Sequence, residues 1–111
     1  MKLQDLEVLN DVPFLFWAKD AEGTYVWGNR AINELAGENV VGKPDAELEW
    51  AENAEALRED DRRVLESGEP MFVREYVDHS ERGKANLSVC KWADELDGKP
   101  HAFGISFVID E

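Results

Sequence analysis

The chain has 111 residues, a formal net charge of −13 at pH 7 and a hydrophobic content of 43%. This length suits a single domain with one hydrophobic core, and the apolar content argues against disorder. A strongly acidic surface repels phosphate groups, so we expect neither a nucleic-acid partner nor attachment to an anionic membrane surface.

The cellular compartment is predicted from the cysteine content and from the apolar stretches. Cys90 is the only cysteine, so no disulfide can form within the chain, as suits a reducing compartment. No apolar stretch approaches the roughly 20 residues of a membrane span. The first eleven residues lack the long apolar centre of a signal peptide. We therefore expect a cytoplasmic protein without membrane insertion.

The N-terminal part of the chain predicts a short helix followed by a β-hairpin. Leu3, Leu6 and Leu9 are spaced by three residues, which is typical of a short amphipathic helix. This helix either packs on its own domain or pairs with a second copy, and the spacing fits both. Residues 14–18 and 24–27 are rich in aromatic and β-branched side chains and predict two strands joined by a tight turn.

Helices and then three strands are predicted downstream of the hairpin. Asn29 is a candidate N-cap, and Gly37 is a stop signal, for one short helix. The longest helix is predicted over residues 51–66, where the charged run 58–63 indicates a solvated face. The last part of the chain predicts strands over residues 71–78, 84–93 and 101–109.

Several short motifs occur in an order that resembles one known family. Trp27-Gly28-Asn29-Arg30-Ala31 resembles the step from the second strand to the first helix of PAS domains. Residues 41–48, VGKPDAEL, are similar to the PAS segment VGKTDAEL, and residues 61–70, DRRVLESGEP, match the helix end D-x-x-V-L-x-S/T-G-x-P. Each motif alone is weak, but their order over residues 14–109 identifies the chain as a member of the PAS domain family.

The resemblance implies an α+β fold with a five-stranded antiparallel sheet, helices on one face and a short N-terminal helix. We expect a single PAS domain over residues 1–111, with the N-terminal helix in 1–12 and the core in 13–110. The resemblance also implies a non-catalytic sensory module that binds a small molecule, dimerises or does both. Such a module regulates an attached output domain, for instance a diguanylate cyclase or a histidine kinase. The alternative is a domain with a closed core that serves only protein–protein interaction.

The C-terminal exit departs from the family pattern. PAS domains joined to an output domain often end in G-I-x-R-D-I-T, whereas residues 104–110 read GISFVID. Val108 therefore stands at the position of the Asp, and Asp110 at the position of the Thr. We expect an output domain to follow Glu111, with a route of transmission that differs from the usual one.

Cofactor and catalytic motifs are missing from the sequence. Nothing resembles the N-C-R-F-L-Q helix of flavin-binding PAS domains, and the helix over residues 51–66 has no His that could bind haem. His79 and His101 are expected in solvent and form no metal-ligand set with Cys90. Phosphate-loop, nucleophile-elbow and zinc-protease motifs are absent as well. We therefore expect no enzyme activity, no flavin, no haem and no metal site.

Alternation along the last strands indicates which side chains share a face. Leu87, Val89 and Lys91 share one face, and the resemblance implies that this face meets an internal pocket together with Ser106. A cation at that place either pairs with an acidic side chain of the domain or binds an acidic small ligand. The candidate pocket residues are Ile32, Leu35, Leu48, Trp50, Tyr76, Leu87, Val89, Lys91 and Ser106.

The opposite face of the last strand carries large apolar side chains, which are costly to expose. We expect the N-terminal helix, from the same chain or from a partner, to cover this face. The pattern therefore predicts a homodimer formed through the helix and the outer face of the sheet. The candidate dimer residues are Leu3, Leu6, Leu9, Phe103, Ile105 and Phe107.

Overall fold

The computed structural model describes residues 1–109, and its centre is a five-stranded antiparallel sheet. The strands lie side by side in the order β2-β1-β5-β4-β3, so the two ends of the chain supply the central strands. This architecture confirms the predicted α+β fold. The strands are β1 (Leu15–Lys19), β2 (Tyr25–Gly28), β3 (Met71–Val77), β4 (Ala85–Leu96) and β5 (Lys99–Ile109).

The helices between β2 and β3 cover one face of the sheet, which we call the inner face. They are α1 (Arg30–Ala36), two short 3₁₀ turns (Asp45–Glu47 and Ala51–Asn53) and α2 (Ala54–Ser67). The helix predicted over residues 51–66 thus begins as a 3₁₀ turn and continues as α2. Gly68 ends α2 with a φ of 71°, a left-handed conformation that glycine adopts at no steric cost.

The side chain of Asn29 connects three parts of the fold. Its Oδ1 caps α1 by accepting from the backbone N–H of Ile32, at 3.2 Å, and also accepts from the N–H of Phe16, at 3.1 Å. Its Nδ2 donates to the carbonyl oxygens of Leu9 and Phe14, at 3.1 and 2.9 Å. This fully buried amide therefore holds the N-terminal segment, β1 and α1 in one arrangement.

The hairpin between β4 and β5 is longer than predicted. The two strands pair from Asn86 with Ile109 to Leu96 with Lys99, around a two-residue turn. Both turn residues, Asp97 and Gly98, have positive φ values of 53° and 79°, as tight hairpin turns of the I′ type require. Val108 pairs with Leu87 near the end of this hairpin, whereas Asp110 lies outside the described residues.

A 3₁₀ helix over Leu3–Leu9 covers part of the outer face of the sheet of its own chain. Leu6 is 2% exposed and packs in one cluster with Phe16, Trp27 and Phe103. The helix is also held by a hydrogen bond from the backbone N–H of Asp97 to the carbonyl of Met1, at 2.9 Å. Of the two alternatives left open by the leucine spacing, the structure has the packing within one chain.

This packing corrects two of the candidate dimer residues. Leu6 and Phe103 are buried inside the monomer and offer nothing to a second copy. Leu9 and Ile105 are half-buried at the edge of the same cluster. Leu3 and Phe107 remain accessible, with exposed fractions of 38% and 53%. The outer face is therefore covered only in part by the N-terminal helix.

No helix within residues 1–109 is both long and apolar enough to cross a membrane.

We expect the N-terminal helix to contribute to the stability of the monomer. Leu6→Ala should lower the free energy of unfolding by about 2–4 kcal/mol, because it leaves a cavity against Phe16 and Phe103. Leu3→Ala, on the exposed side of the same helix, should change it by less than about 1 kcal/mol. Urea denaturation of both variants measures the difference. Equal losses would contradict the docking of the helix described here.

Candidate functional site

Five ionisable side chains lie together beneath the helices, against the inner face of the sheet. None is more than 6% exposed, although ions of this kind are rarely buried in proteins. They come from five different elements, so the fold and not the local sequence brings them together. We call them the ionic cluster: Lys19 of β1, Asp45 of the first 3₁₀ turn, Asp61 of α2, Glu75 of β3 and Lys91 of β4.

Lys19 lies between two carboxylates. Its Nζ donates to Asp45 Oδ2 at 2.6 Å and to Asp61 Oδ2 at 2.8 Å. The ammonium also lies 4.8 Å from the centre of the Tyr25 ring, in a cation–π contact. Burial lowers the pKa of Lys19, but Tyr25, Asp45 and Asp61 outweigh burial and hold the pKa well above its usual value. Lys19 is therefore charged at neutral pH.

Asp45 is surrounded by hydrogen-bond donors. Besides Lys19, it accepts from the Tyr25 hydroxyl and from the Trp50 indole Nε1, both at 2.8 Å. Burial raises the pKa of Tyr25 well above its usual value; Lys19 opposes the rise and the Asp45 carboxylate adds to it, so the Tyr25 hydroxyl keeps the proton that it donates. Three donors fix this carboxylate in place.

Asp61 bridges the two lysines of the ionic cluster. Its Oδ2 accepts from Lys19, and its Oδ1 accepts from Lys91 Nζ at 3.0 Å. Burial raises the pKa of Asp61, but the two ammonium groups outweigh burial and bring the pKa below its usual value. One carboxylate thereby joins α2 to both β1 and β4.

Glu75 is the least firmly bound member of the ionic cluster. Its Oε2 lies 2.7 Å from Lys91 Nζ, but this oxygen atom has no hydrogen-bond partner of good geometry among the described residues. Burial raises the pKa of Glu75 to about 7, and a hydrogen bond with Asp60 adds to the rise, while Lys91 opposes it. At neutral pH the Glu75 carboxyl is therefore distributed between its protonated and its ionised form.

A small cavity adjoins the ionic cluster. Its volume is about 20 Å³, which is room for roughly one water molecule. One side of the cavity is polar and the other is an apolar wall, so a molecule placed there would meet both kinds of surface. The lining residues are Trp17, Lys19, Tyr25, Ile32, Leu35, Trp50, Leu57, Glu75, Val77, Leu87 and Lys91.

Five of the candidate pocket residues line this cavity: Ile32, Leu35, Trp50, Leu87 and Lys91. Leu48 and Val89 belong to the same buried core without lining the cavity. Ser106 is fully buried but lines a separate groove of about 540 Å³, next to Arg82 and Glu34. Lys91 pairs with Asp61 and Glu75, which is one of the two alternatives that the sequence left open.

The prediction that Tyr76 lines the pocket is wrong, because its side chain is 56% exposed on the outer face. Side chains alternate along a strand, so the burial of Glu75 and Val77 places Tyr76 on the opposite side. The prediction that His101 lies in solvent is also wrong. Its ring is 7% exposed, and its Nδ1 lies 2.8 Å from the Lys99 carbonyl oxygen.

Most of the ionic cluster is not predicted by the sequence patterns. The charged run 58–63 predicts a solvated Asp61, yet this residue occupies a buried position of α2 between Leu57 and Val64. Its spacing of four and three residues from those two is the signal that marks the buried stripe of a helix. Glu75 has a similar signal, because it lies two residues before Val77 in β3 and therefore shares the inner face with it. The other residues missed were Lys19, Tyr25 and Asp45.

No three His, Cys, Asp or Glu side chains within residues 1–109 are grouped so that they could hold a metal ion.

We expect Asp61 to be necessary for the stability of the fold. Asp61→Asn should lower the free energy of unfolding by about 3–5 kcal/mol, because it removes a charge that two buried ammonium groups share. Glu59→Gln, in the exposed pair with Arg62 on the same helix, should cost less than about 1 kcal/mol. Chemical denaturation at pH 7 compares the two variants. A loss of similar size in both would rule out a special role for the buried carboxylate.

The family model described as PAS fold matches residues 9–108. None of the curated proteins matches the chain in sequence. VqmA bound to DPO superposes with a TM-score of 0.80 and 22% identity, over 96% of this chain and 57% of that one. VqmA has also been solved from Vibrio cholerae, and this chain spans only about half the length of the VqmA chains.

Two isolated domains show the same fold. The PAS domain of an HTR-like protein from Haloarcula marismortui has a TM-score of 0.75 and 20% identity, over 96% of this chain and 90% of that one. The PAS domain of BvgS from Bordetella pertussis has a TM-score of 0.74 and 23% identity, over 98% and 87%. The family match spans the inner-face helices, the five strands except the last residue of β5, and all five members of the ionic cluster. This chain therefore belongs to the PAS-fold family.

Proposed function

We propose that this chain is the sensory module of a cytoplasmic signalling protein and that it binds a small organic molecule at the ionic cluster. The observation that carries the proposal is the burial of five ionisable side chains next to a cavity in so small a domain. The module does no chemistry of its own and holds neither flavin nor haem. Binding regulates an attached output domain.

A gain in stability does not explain why this core has an ionic cluster in place of apolar side chains, although removing one of its charges is costly once the others are buried. Taking charges out of water costs several kcal/mol per ion, and well-packed apolar side chains often stabilise a core as well or better. The remainder of the inner face is apolar and closely packed. Charges kept in such a core, beside a cavity and with perturbed pKa values, are typical of binding sites.

A relative with the same fold supports a small-molecule ligand. VqmA, which has this fold, has been solved with DPO bound. The identity of 22% supports a shared fold only, so the ligand of this chain is inferred from its own side chains. The two ammonium groups favour an organic acid, as expected from Lys91. Another VqmA structure is that of the dimer in the absence of its target DNA. A DNA-binding domain is therefore a further candidate for the output domain of this chain, besides a diguanylate cyclase or a histidine kinase.

A second candidate function is protein–protein interaction alone, through a homodimer. Two observations favour it. The cavity of about 20 Å³ leaves the core almost closed. The outer face retains exposed aromatic side chains that the N-terminal helix leaves uncovered, and Phe72 and Phe107 line one shallow groove there with Ile105 and Cys90. We call these four residues the outer patch.

The small-molecule proposal predicts that organic acids stabilise the purified domain. A carboxylic acid of fitting size should raise the melting temperature of the wild type in a saturable way. Lys91→Met should abolish the response, because it removes the cation that faces the cavity. Arg62→Met, an exposed cation on α2, should respond like the wild type. Native mass spectrometry checks whether a molecule is retained. A bare mass together with no thermal response would leave the closed core as the better interpretation.

The dimer proposal predicts that the outer patch holds two copies together. Phe107→Glu should shift a dimer toward monomer in light scattering at micromolar concentration, since a buried unpaired charge is costly at an interface. Val41→Glu, at a hydrophobic side chain that is 47% exposed away from the outer patch, serves as the control. A wild-type monomer at these concentrations, or the same mass for both variants, would contradict the dimer.

A further inference from the structure

The hydrogen-bonding capacity of the two buried lysines is almost fully used. Each ammonium carries three N–H groups. Lys19 directs its N–H groups to Asp45 and Asp61 and lies against the Tyr25 ring. Lys91 donates to Asp61 and, at 3.3 Å, to the Leu57 carbonyl oxygen. One N–H group of each lysine is left without an acceptor: the one of Lys19 has the Tyr25 ring beside it, and the one of Lys91 is on the side that Glu75 occupies.

The carboxylates of the ionic cluster differ in how firmly they are held. Asp45 accepts from three donors, and Asp61 accepts from both lysines. Glu75 has one short ion pair, with Lys91, in which its Oε2 makes no hydrogen bond of good geometry, and its other interaction is with the half-buried Asp60. It is therefore the member that can leave with the smallest loss of interactions.

The position of Glu75 also gives it a way out. It lies on β3, the edge strand of the sheet, which pairs with β4 on one side. Helix α2 packs chiefly against β4 and β5, so the boundary between α2 and β3 is the less tightly held side of the core. Asp60, which hydrogen-bonds Glu75, is half-buried at this boundary. A change of side-chain rotamer can therefore move the Glu75 carboxyl toward solvent.

We propose that Glu75 occupies, in the structure described here, the position on Lys91 that a ligand carboxylate takes when the module binds its ligand. Glu75 swings out, and the incoming carboxylate accepts the free N–H of Lys91. This inference rests on the proposed small-molecule function and names its ligand class. The ligand is a small monocarboxylate whose apolar part contacts the wall formed by Leu35, Leu57 and Val77.

The preference for one carboxylate follows from charge. A second carboxylate on the ligand would meet Asp45 and Asp61, which already accept the donated N–H groups of Lys19 and one N–H group of Lys91. The charged groups that face Glu75 are Lys91 from β4, Asp60 and Asp61 from α2 and, across the cavity, Lys19 from β1. Dicarboxylates are therefore excluded by repulsion.

Displacement of Glu75 releases a proton. Its pKa is about 7 when buried, against an ordinary value of 4.5 in solvent. Because the displaced form has the lower pKa, it binds fewer protons, so binding releases protons between these two values and the affinity for an ionised ligand rises with pH in that range. At pH 6 the release should approach about 0.9 proton per ligand bound.

The first test is chemical rescue of Glu75→Ala. This variant should melt below the wild type, and acetate or propionate should raise its melting temperature in a saturable way. Propionate should bind it about tenfold more tightly than the wild type, because no side chain has to be displaced. Succinate and chloride at matched ionic strength should have no such effect. Glu75→Gln, which keeps the position filled, and the double variant Glu75→Ala with Lys91→Met should not be rescued.

The second test keeps the inference falsifiable if Glu75→Ala does not fold. Calorimetric titration of the wild type with propionate at pH 6, in two buffers of different ionisation heat, measures the protons released. About 0.9 proton in the wild type and none in Glu75→Gln are expected. A small molecule that binds the wild type without proton release, with Glu75→Ala unrescued, overturns this inference and leaves the proposed function standing. Rescue of Glu75→Ala without any wild-type ligand supports the carboxylate position and overturns the sensory proposal.

Discussion

The bridge that Asp61 makes between Lys19 and Lys91 is the interaction on which the interior of this domain depends. It joins α2 to β1 and β4 across the middle of the inner face. Two buried ammonium groups cannot remain charged in an apolar core without such a partner, and a partly satisfied polar network is worse than an apolar one. Asp45 extends this network by accepting from Lys19, and Tyr25 and Trp50 in turn donate to Asp45.

The same sheet serves two surfaces of opposite character. Its inner face carries the ionic cluster, and its outer face carries the N-terminal helix and the outer patch. Strand β3 belongs to both, because Glu75 points inward while Phe72 and Tyr76 point outward. An edge strand is hydrogen-bonded on one side only, so a displacement of Glu75 acts on a strand with little to restrain it. This gives the interior a short physical connection to the proposed dimer surface.

Prediction from the sequence succeeded where a pattern has a single structural meaning. The order of strands and helices was confirmed, since turn residues, caps and alternation point to the same elements. The position predicted for Tyr76 is wrong because a shift of one residue along a strand moves every side chain to the opposite face. The sequence of β3 alternates apolar and polar residues only in part, so it does not determine which residues face inward. The solvated position predicted for Asp61 is wrong because a run of charged residues indicates a solvated face, whereas Asp61 shares the buried stripe of α2 with Leu57 and Val64. A charged residue that falls on the apolar stripe of a helix can be either solvated or buried with partners, and only the partners distinguish these two interpretations.

The sequence by itself determined the PAS fold, the amphipathic N-terminal helix and a lysine on the inner face of β4, because local propensity and strand parity are encoded in neighbouring residues. Only the tertiary structure decided that Lys91 meets Asp61 and Glu75, and that Lys19 meets Asp45 and Asp61. The partners in these pairs are separated by between 16 and 42 residues along the chain. Electrostatic partners at such distances carry no local signal, because the energy of a buried charge depends on what the fold brings beside it.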